Sequence, residues 1–99
     1  VFDGFSIMTW FFVEFAHTRI GFECSDVNGF MHLLTAQECQ DAVEYAKSFN
    51  SNAQYEGVIS SSSFPKGCVI ADWGRMWFNT HPTGRREWRY KNICRTGNT

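Results

Sequence analysis

Apolar residues recur along this chain with two different periods, which separate one helical stretch from several extended ones. Residues 35–49 carry the helical period: Cys39, Ala42, Val43, Ala46 and Phe49 form one stripe, while Gln40, Asp41, Glu44 and Lys47 lie off it. Thr35 stands at the N-cap with Glu38 three residues later, the two halves of a capping box, and Leu34 before the cap is placed to staple onto Cys39. Asn50 to Asn52 provides the stop, because asparagine tolerates the left-handed cap. The period of two governs residues 67–84. Cys68 to Ala71 is a short apolar run with β-branched Val69 and Ile70, and Asp72-Trp73-Gly74 is a tight connection. Arg75 to Asn79 then alternates, so Met76 and Phe78 share one side and Arg75, Trp77 and Asn79 the other. His81 precedes a proline and is pushed to extended geometry, and Pro82 to Gly84 reads as an exit turn. Tyr55 to Ile59 and a final segment from Tyr90 or Asn92 to Arg95 read as strands, and Gly21 to Leu34 as extended and looped with a turn at Asp26-Val27-Asn28-Gly29. The expected fold class is α+β: one helix packed on a small antiparallel sheet.

Residues 1–22 fit neither period. Phe5, Met8, Phe12 and Phe15 fall at helical spacing, yet Trp10, Phe11 and Val13 widen the apolar face nearly all round. The apolar run is too short to span a bilayer, which takes about 20 residues, and Glu14, His17 and Arg19 interrupt or end it. Three readings stay open: an element filling the domain's own core, an arm that docks in a larger complex, or a segment lying in a membrane interface, where Trp and Phe are at home. The docking arm is the favoured expectation, with residues 1–22 as the arm and residues 23–99 as the folded domain.

Composition sharpens this picture. Ninety-nine residues make one domain with a modest core, and 17% aromatic residues are more ring surface than such a core hides. Some of the rings should therefore lie against something else. The four cysteines, Cys24, Cys39, Cys68 and Cys94, are widely spaced with no close pair of the kind zinc sites use, so they read as a disulfide framework and place the chain in an oxidising compartment. Of the three possible pairings, Cys39–Cys68 would pin the helix to the sheet and Cys24–Cys94 would tie the domain's ends, and that pair of bridges is expected. A helix on a sheet with bridges across the layer looks somewhat like apple or PAN modules.

The run Pro65, Gly67-Cys68, then Trp77-Phe78-Asn79-Thr80-His81-Pro82-Thr83-Gly84, then Ile93-Cys94-Arg95, resembles a small cysteine-rich domain found in predicted proteins of dinoflagellates, haptophytes and related algae. Glu38-Cys39 with Ala42 and Ala46 fits the same pattern, and the resemblance covers residues 24–95. Two features depart from it: Val69 stands where the family has tyrosine, and a serine-rich link is replaced by Arg85-Arg86-Glu87-Trp88-Arg89-Tyr90-Lys91. The family carries no reaction to transfer; the resemblance implies a fold and an algal source.

Charge divides the chain. Residues 1–59 hold eight acids and two bases, residues 60–99 two acids and seven bases, for a net charge of −1. Either the halves neutralise each other on folding or a basic face meets an acidic partner. Catalysis is not expected: His17, His32 and His81 lie in different segments, no two at helical spacing with a carboxylate, and the serines at 60–63 have no nucleophile elbow. His32, among Met31, Leu33 and Leu34, reads as a packing residue. The basic–aromatic run 85–91 also has the look of a nucleic-acid contact, but a slightly acidic disulfide domain argues against it.

The expected function is a non-enzymatic accessory subunit docked on a larger, membrane-associated assembly. Phe5, Met8, Trp10, Phe11, Phe12 and Phe15 of the arm, with Arg85, Arg86, Trp88 and Arg89 of the basic loop, are the candidate partner contacts. With the algal resemblance, the expected setting is the thylakoid lumen of the chloroplast, on a photosystem. No cofactor, metal, nucleic acid or membrane span of its own is expected, and pigment or lipid contact through the arm stays open. The alternative is a secreted or cell-surface carbohydrate-binding module using Trp73 and Trp77 for stacking and Asn79 and Thr80 for hydrogen bonds.

Overall fold

The computed structural model describes residues 14–96. Phe5, Met8, Trp10, Phe11 and Phe12 of the expected arm lie outside the described residues. In chain order the elements are β1 (Phe15–His17), a short 3-10 turn (Cys24–Asp26), β2 (Phe30–His32), α1 (Ala36–Asp41), α2 (Val43–Ala46), β3 (Gln54–Ile59), β4 (Pro65–Ala71), β5 (Arg75–Gly84) and β6 (Tyr90–Thr96). The strands form one sheet in the order β1-β6-β4-β5-β3, with β2 also on β6. Ile93 pairs with both His17 and Cys68, while Cys94 pairs with both Ala16 and His32. A strand has two edges, so β2 prolongs the line of β4 on the edge of β6 that faces away from β1.

The sheet is mixed, not antiparallel as expected, because β3 runs parallel to β5. The reason is a short link. Five residues, 60–64, join the end of β3 to the start of β4, so the two strands meet at one end of the sheet and run in opposite directions. Since β4 and β5 form an antiparallel hairpin, β3 on the far side of β5 must run with it. At the hairpin turn Gly74 holds φ +104, and a Cβ there would lie 2.6 Å from the Asn52 carbonyl oxygen.

The helical stretch begins as expected and then divides. Glu38 N–H donates to Thr35 Oγ1 at 3.1 Å, and Glu38 Oε1 accepts from the N–H groups of Leu34 and Thr35 at 2.7 and 3.2 Å. At Ala42 (φ −79, ψ −3) the N–H is shared between the carbonyls of Glu38 and Cys39, both at 3.1 Å, and two short helices replace the expected single one. The stripe points inward as read: Cys39, Ala42 and Ala46 are fully buried. The staple does not form, because Leu34 is 73% exposed and Leu33 takes the core position. Among the described residues no non-glycine has positive φ, so the stop is an Asx turn, with Asn52 N–H donating to Asn50 Oδ1 at 3.1 Å, and not a left-handed cap.

Helices cover one face of the sheet, packing on Cys68, Ile70, Met76, Phe78 and Ile93. Disulfides join Cys39 to Cys68 and Cys24 to Cys94, with Cα–Cα distances of 5.3 and 5.8 Å, the expected connectivity. The first bridge ties α1 to the central strand; the second ties the loop after β1 to β6. Residues 14–22 belong to this unit, which moves its boundary from the expected residue 23 to at least residue 14. Phe15 faces Arg95 across β1–β6, Thr18 is buried, and Gly21 N–H donates to the Tyr90 carbonyl at 2.9 Å. Phe15 packs on the core from this edge and sits 5.7 Å from Tyr45, ring to ring, so within the described chain it is a core contact.

Candidate docking face

Opposite the helices, the alternating positions of β4, β5 and β6 present Val69, Ala71, Trp77, Asn79, Tyr90, Asn92 and Cys94. Rings line this face in series: Trp73 to Tyr90 at 5.9 Å, Tyr90 to Phe64 at 4.9 Å, and Phe64 to Trp77 at 5.8 Å between centroids. Val69 and Tyr90 beneath them are buried, whereas Trp73 at the hairpin tip is 50% exposed.

The neighbouring edge carries a second group. Gly21 lies against the backbone of Trp88, so Ile20 and Phe22 flank the 85–89 loop. Trp88 is 71% exposed, Phe22 43% and Ile20 39%. Guanidiniums sit over these rings, Arg89 over Trp88 at 5.6 Å and Arg19 over Phe22 at 5.8 Å.

The basic loop is held by carboxylates. Arg86 grips Asp26 with two nitrogens, its Nε donating to Oδ2 at 2.8 Å. The Arg86 hydrogen bond, with a further bond from the Glu23 backbone, pulls the Asp26 carboxyl down to about 2. Arg89 donates to Glu87 Oε2 at 3.0 Å, and the side-chain and backbone bonds of Arg89 lower the Glu87 pKa. Arg85 donates its backbone N–H to Phe64 O at 2.8 Å and keeps an exposed side chain. The structure therefore gathers Arg85, Arg86, Trp88 and Arg89 on one loop and adds Ile20, Phe22 and Trp73 to them. In the sequence Arg19 only ends the apolar run and Phe22 carries no signal; the Thr18–Asn92 and Gly21–Tyr90 backbone bonds bring both to the loop.

Two of the expected sugar contacts, Asn79 and Thr80, are engaged by the fold itself. Asn79 is 2% exposed and its amide is fully used: Oδ1 accepts from the N–H groups of Ser61 and His81, and Nδ2 donates to the carbonyls of Ser61, Phe64 and Pro65. Thr80 Oγ1 donates to the Ile59 carbonyl at 3.2 Å. Both side chains fasten the 60–64 link where it crosses the end of β5. Trp73 and Trp77 keep partly open rings.

His17 packs on the helix side, stacked on Phe49 at 3.8 Å and hydrogen-bonded to the Tyr45 hydroxyl at 2.7 Å, and burial, with Lys91 nearby, lowers its pKa. Among the described residues no three His, Cys, Asp or Glu side chains are arranged to hold a metal ion. Comparison with protein-family models, with curated proteins and with solved structures found no match.

Proposed function

We propose that this chain is a non-enzymatic docking module, an accessory subunit fixed to a larger assembly through the face formed by Trp73, Trp88, Phe22 and Ile20. The observation that carries the reading is their exposure: four large apolar side chains stand at 39–71% accessibility on one side of a small domain, flanked by positioned guanidiniums. Trp, aromatic and Arg side chains in one patch are the composition of an interface centre. The occupant is an acidic protein surface, since Arg19, Arg85 and Arg89 lie on or beside the rings and Glu87 and Asp26 are already engaged. The sugar-binding reading loses its hydrogen-bonding groups to the fold, which leaves protein docking better supported.

Two disulfides fit an oxidising compartment. Joined to the algal resemblance, this makes the lumenal side of a photosystem the proposed setting; the apple or PAN likeness belongs to the same proposal and rests on the arrangement of helix, sheet and bridges. No helix among the described residues is long and apolar enough to cross a membrane. The test is native gel separation of detergent-solubilised thylakoids from an alga producing the tagged chain. The wild-type chain should migrate with a photosystem complex and resist protease added to sealed thylakoids, and the Trp88→Ala, Phe22→Ser double variant should migrate alone. A wild-type chain that stays outside every complex overturns the reading, as does a glycan-array signal abolished by Trp77→Ala.

A further inference from the structure

Away from that face, where β2 ends against β4 and β5, the surface sinks into a notch of about 330 Å³ lined by His32, Leu34, Lys66, Phe78, His81 and Pro82. Its size is at the small end of ligand sites. The sequence scattered these residues over three segments, and the fold brings two of the three histidines together here.

The side chains of Asn79 and Thr80 in the wall are engaged by the backbone, which leaves Lys66 and the two histidines as the polar side chains the notch offers. Lys66 forms no ion pair with another described residue. His81 Nδ1 accepts the N–H groups of Gly84 and Thr83 at 2.9 and 3.2 Å. A nitrogen that accepts two N–H bonds carries no proton, so the neutral ring holds its hydrogen on Nε2, where it can donate. Both ring nitrogens of His32 are covered and have no partner, an arrangement that in a folded protein marks a missing acceptor. No carboxylate lines the notch, and its other side chains that remain unsatisfied are apolar: Leu34 at 73% exposure, with Phe78 and Pro82.

We propose that this notch binds a carboxylate carried on a short apolar stem, the charge against Lys66 and His81 and the stem against Leu34, Phe78 and Pro82. The imidazole of His32 stands in the wall of the notch, close enough to feel the charge of the carboxylate. Burial and the Lys66 charge hold His32 at about 4 in the empty notch, against a small opposing pull from Asp26; a bound anion therefore moves its titration upward. The chemistry is shared by a free small acid and by the carboxyl end of a protein chain.

The experiment is a titration of the ¹⁵N-labelled full chain followed by NMR, using hexanoate, acetyl-leucine, hexanol and inorganic phosphate. Hexanoate or acetyl-leucine should shift the amides of Leu34, Gly67 and His81 and saturate with a Kd of about 1 mM, with hexanol and phosphate about tenfold weaker or worse. The His32 ring should titrate at higher pH in the saturated protein. Lys66→Met should weaken the carboxylate about tenfold while leaving the remaining spectrum in place. Tighter binding of acetyl-leucine than of hexanoate identifies a chain end as the source, and the reverse identifies a free acid; both support the site. Shifts that fail to saturate by about 50 mM, phosphate binding as well as hexanoate, or an unaltered Kd in Lys66→Met each overturn it.

Discussion

Asn92 is fully buried and every polar atom of its side chain is engaged: Oδ1 accepts from Cys24 N–H at 3.0 Å, and Nδ2 donates to the carbonyls of Lys66 and Cys68, both at 2.9 Å. One amide thus joins the 3-10 turn, β4 and β6 beside the Cys24–Cys94 bridge. Removing it leaves three buried backbone groups without partners, so Asn92→Ala should cost about 2–4 kcal/mol in urea unfolding, whereas Asn50→Ala, at a surface turn, should cost about 1 kcal/mol or less. Neither Asn92 nor the clamp at Asn79 was legible beforehand. A sequence gives the donors and acceptors an asparagine owns but not which backbone will cross it, so Asn79 read as a sugar contact and Asn92 as an ordinary strand residue. His32 was read correctly as packing, but its unpaired nitrogens depend on Gly67 passing beneath it, where a Cβ would lie 2.9 Å from Nδ1. That environment makes stability depend on pH. The folded pKa, about 4, lies below the ordinary 6.5, so the unfolded chain binds the proton more readily between those values. Stability conferred by neutral His32 is complete above pH 6.5 and declines as pH falls toward 4, by about 1–3 kcal/mol. Asp26, lowered from 3.8 to about 2, adds a second loss only below that window. Urea midpoints measured from pH 7 to 4 should fall more steeply for the wild type than for His32→Phe, which keeps the contribution of His17, whose pKa burial also lowers; equal slopes in the two proteins would remove the assignment to His32.

Among the elements, those set by local signals were readable and those set by connection lengths were not. The capping box, the inward stripe of Cys39, Ala42 and Ala46, and the hairpin through Asp72-Trp73-Gly74 follow from neighbours a few residues apart, and all three appear as expected. The parallel pairing of β3 with β5 follows from a five-residue link and from which hairpin strand lies outermost, and hydrophobic period does not encode either. The break at Ala42 belongs to the same class: Cys39 is fixed to Cys68 while fully buried alanines hold the next turn close to the sheet. The bridges differ in what they restrain. Their sequence separations are 29 and 70 residues, and loop closure alone gives about 3.6 and 4.4 kcal/mol for Cys39–Cys68 and Cys24–Cys94. Entropy therefore ranks the long bridge first, but Cys39–Cys68 also anchors short helices that are marginal without tertiary contacts. Cys39→Ala with Cys68→Ala should lose helical circular dichroism before global unfolding, at temperatures where Cys24→Ala with Cys94→Ala keeps it. Coincident helix loss and global unfolding in both double variants would show that the first bridge has no separate hold on α1 and α2.

Among the described residues, the opposed charges of the two halves are partly spent on each other. Arg75–Glu56 at 3.3 Å, Arg95–Glu38 at 3.7 Å and the Arg86–Asp26 pair each join a base from the second half to an acid from the first. Of the two readings of the charge division, mutual neutralisation is thus realised in three pairs, and the basic loop retains only part of its nominal charge. Each pair is partly exposed and contributes about 0–1 kcal/mol, so their larger effect is to fix guanidiniums in place. This shapes how the docking face must work. A surface whose cations were free would bind an acidic partner with a steep dependence on salt; one whose cations are anchored beside exposed rings binds mainly through apolar burial, with charge governing approach. Raising salt from about 0.05 to 0.5 M should therefore slow association yet change the Kd by less than about tenfold. Trp88→Ala, which removes the most exposed ring of the face, should raise the Kd by more than that, about 2 kcal/mol, while shifting the unfolding free energy of the isolated chain by no more than about 0.5 kcal/mol. Surface plasmon resonance on the solubilised assembly, with salt and variant changed independently, separates the two contributions. A Kd that follows salt steeply and ignores Trp88 would mean that the arginines, not the rings, make the contact.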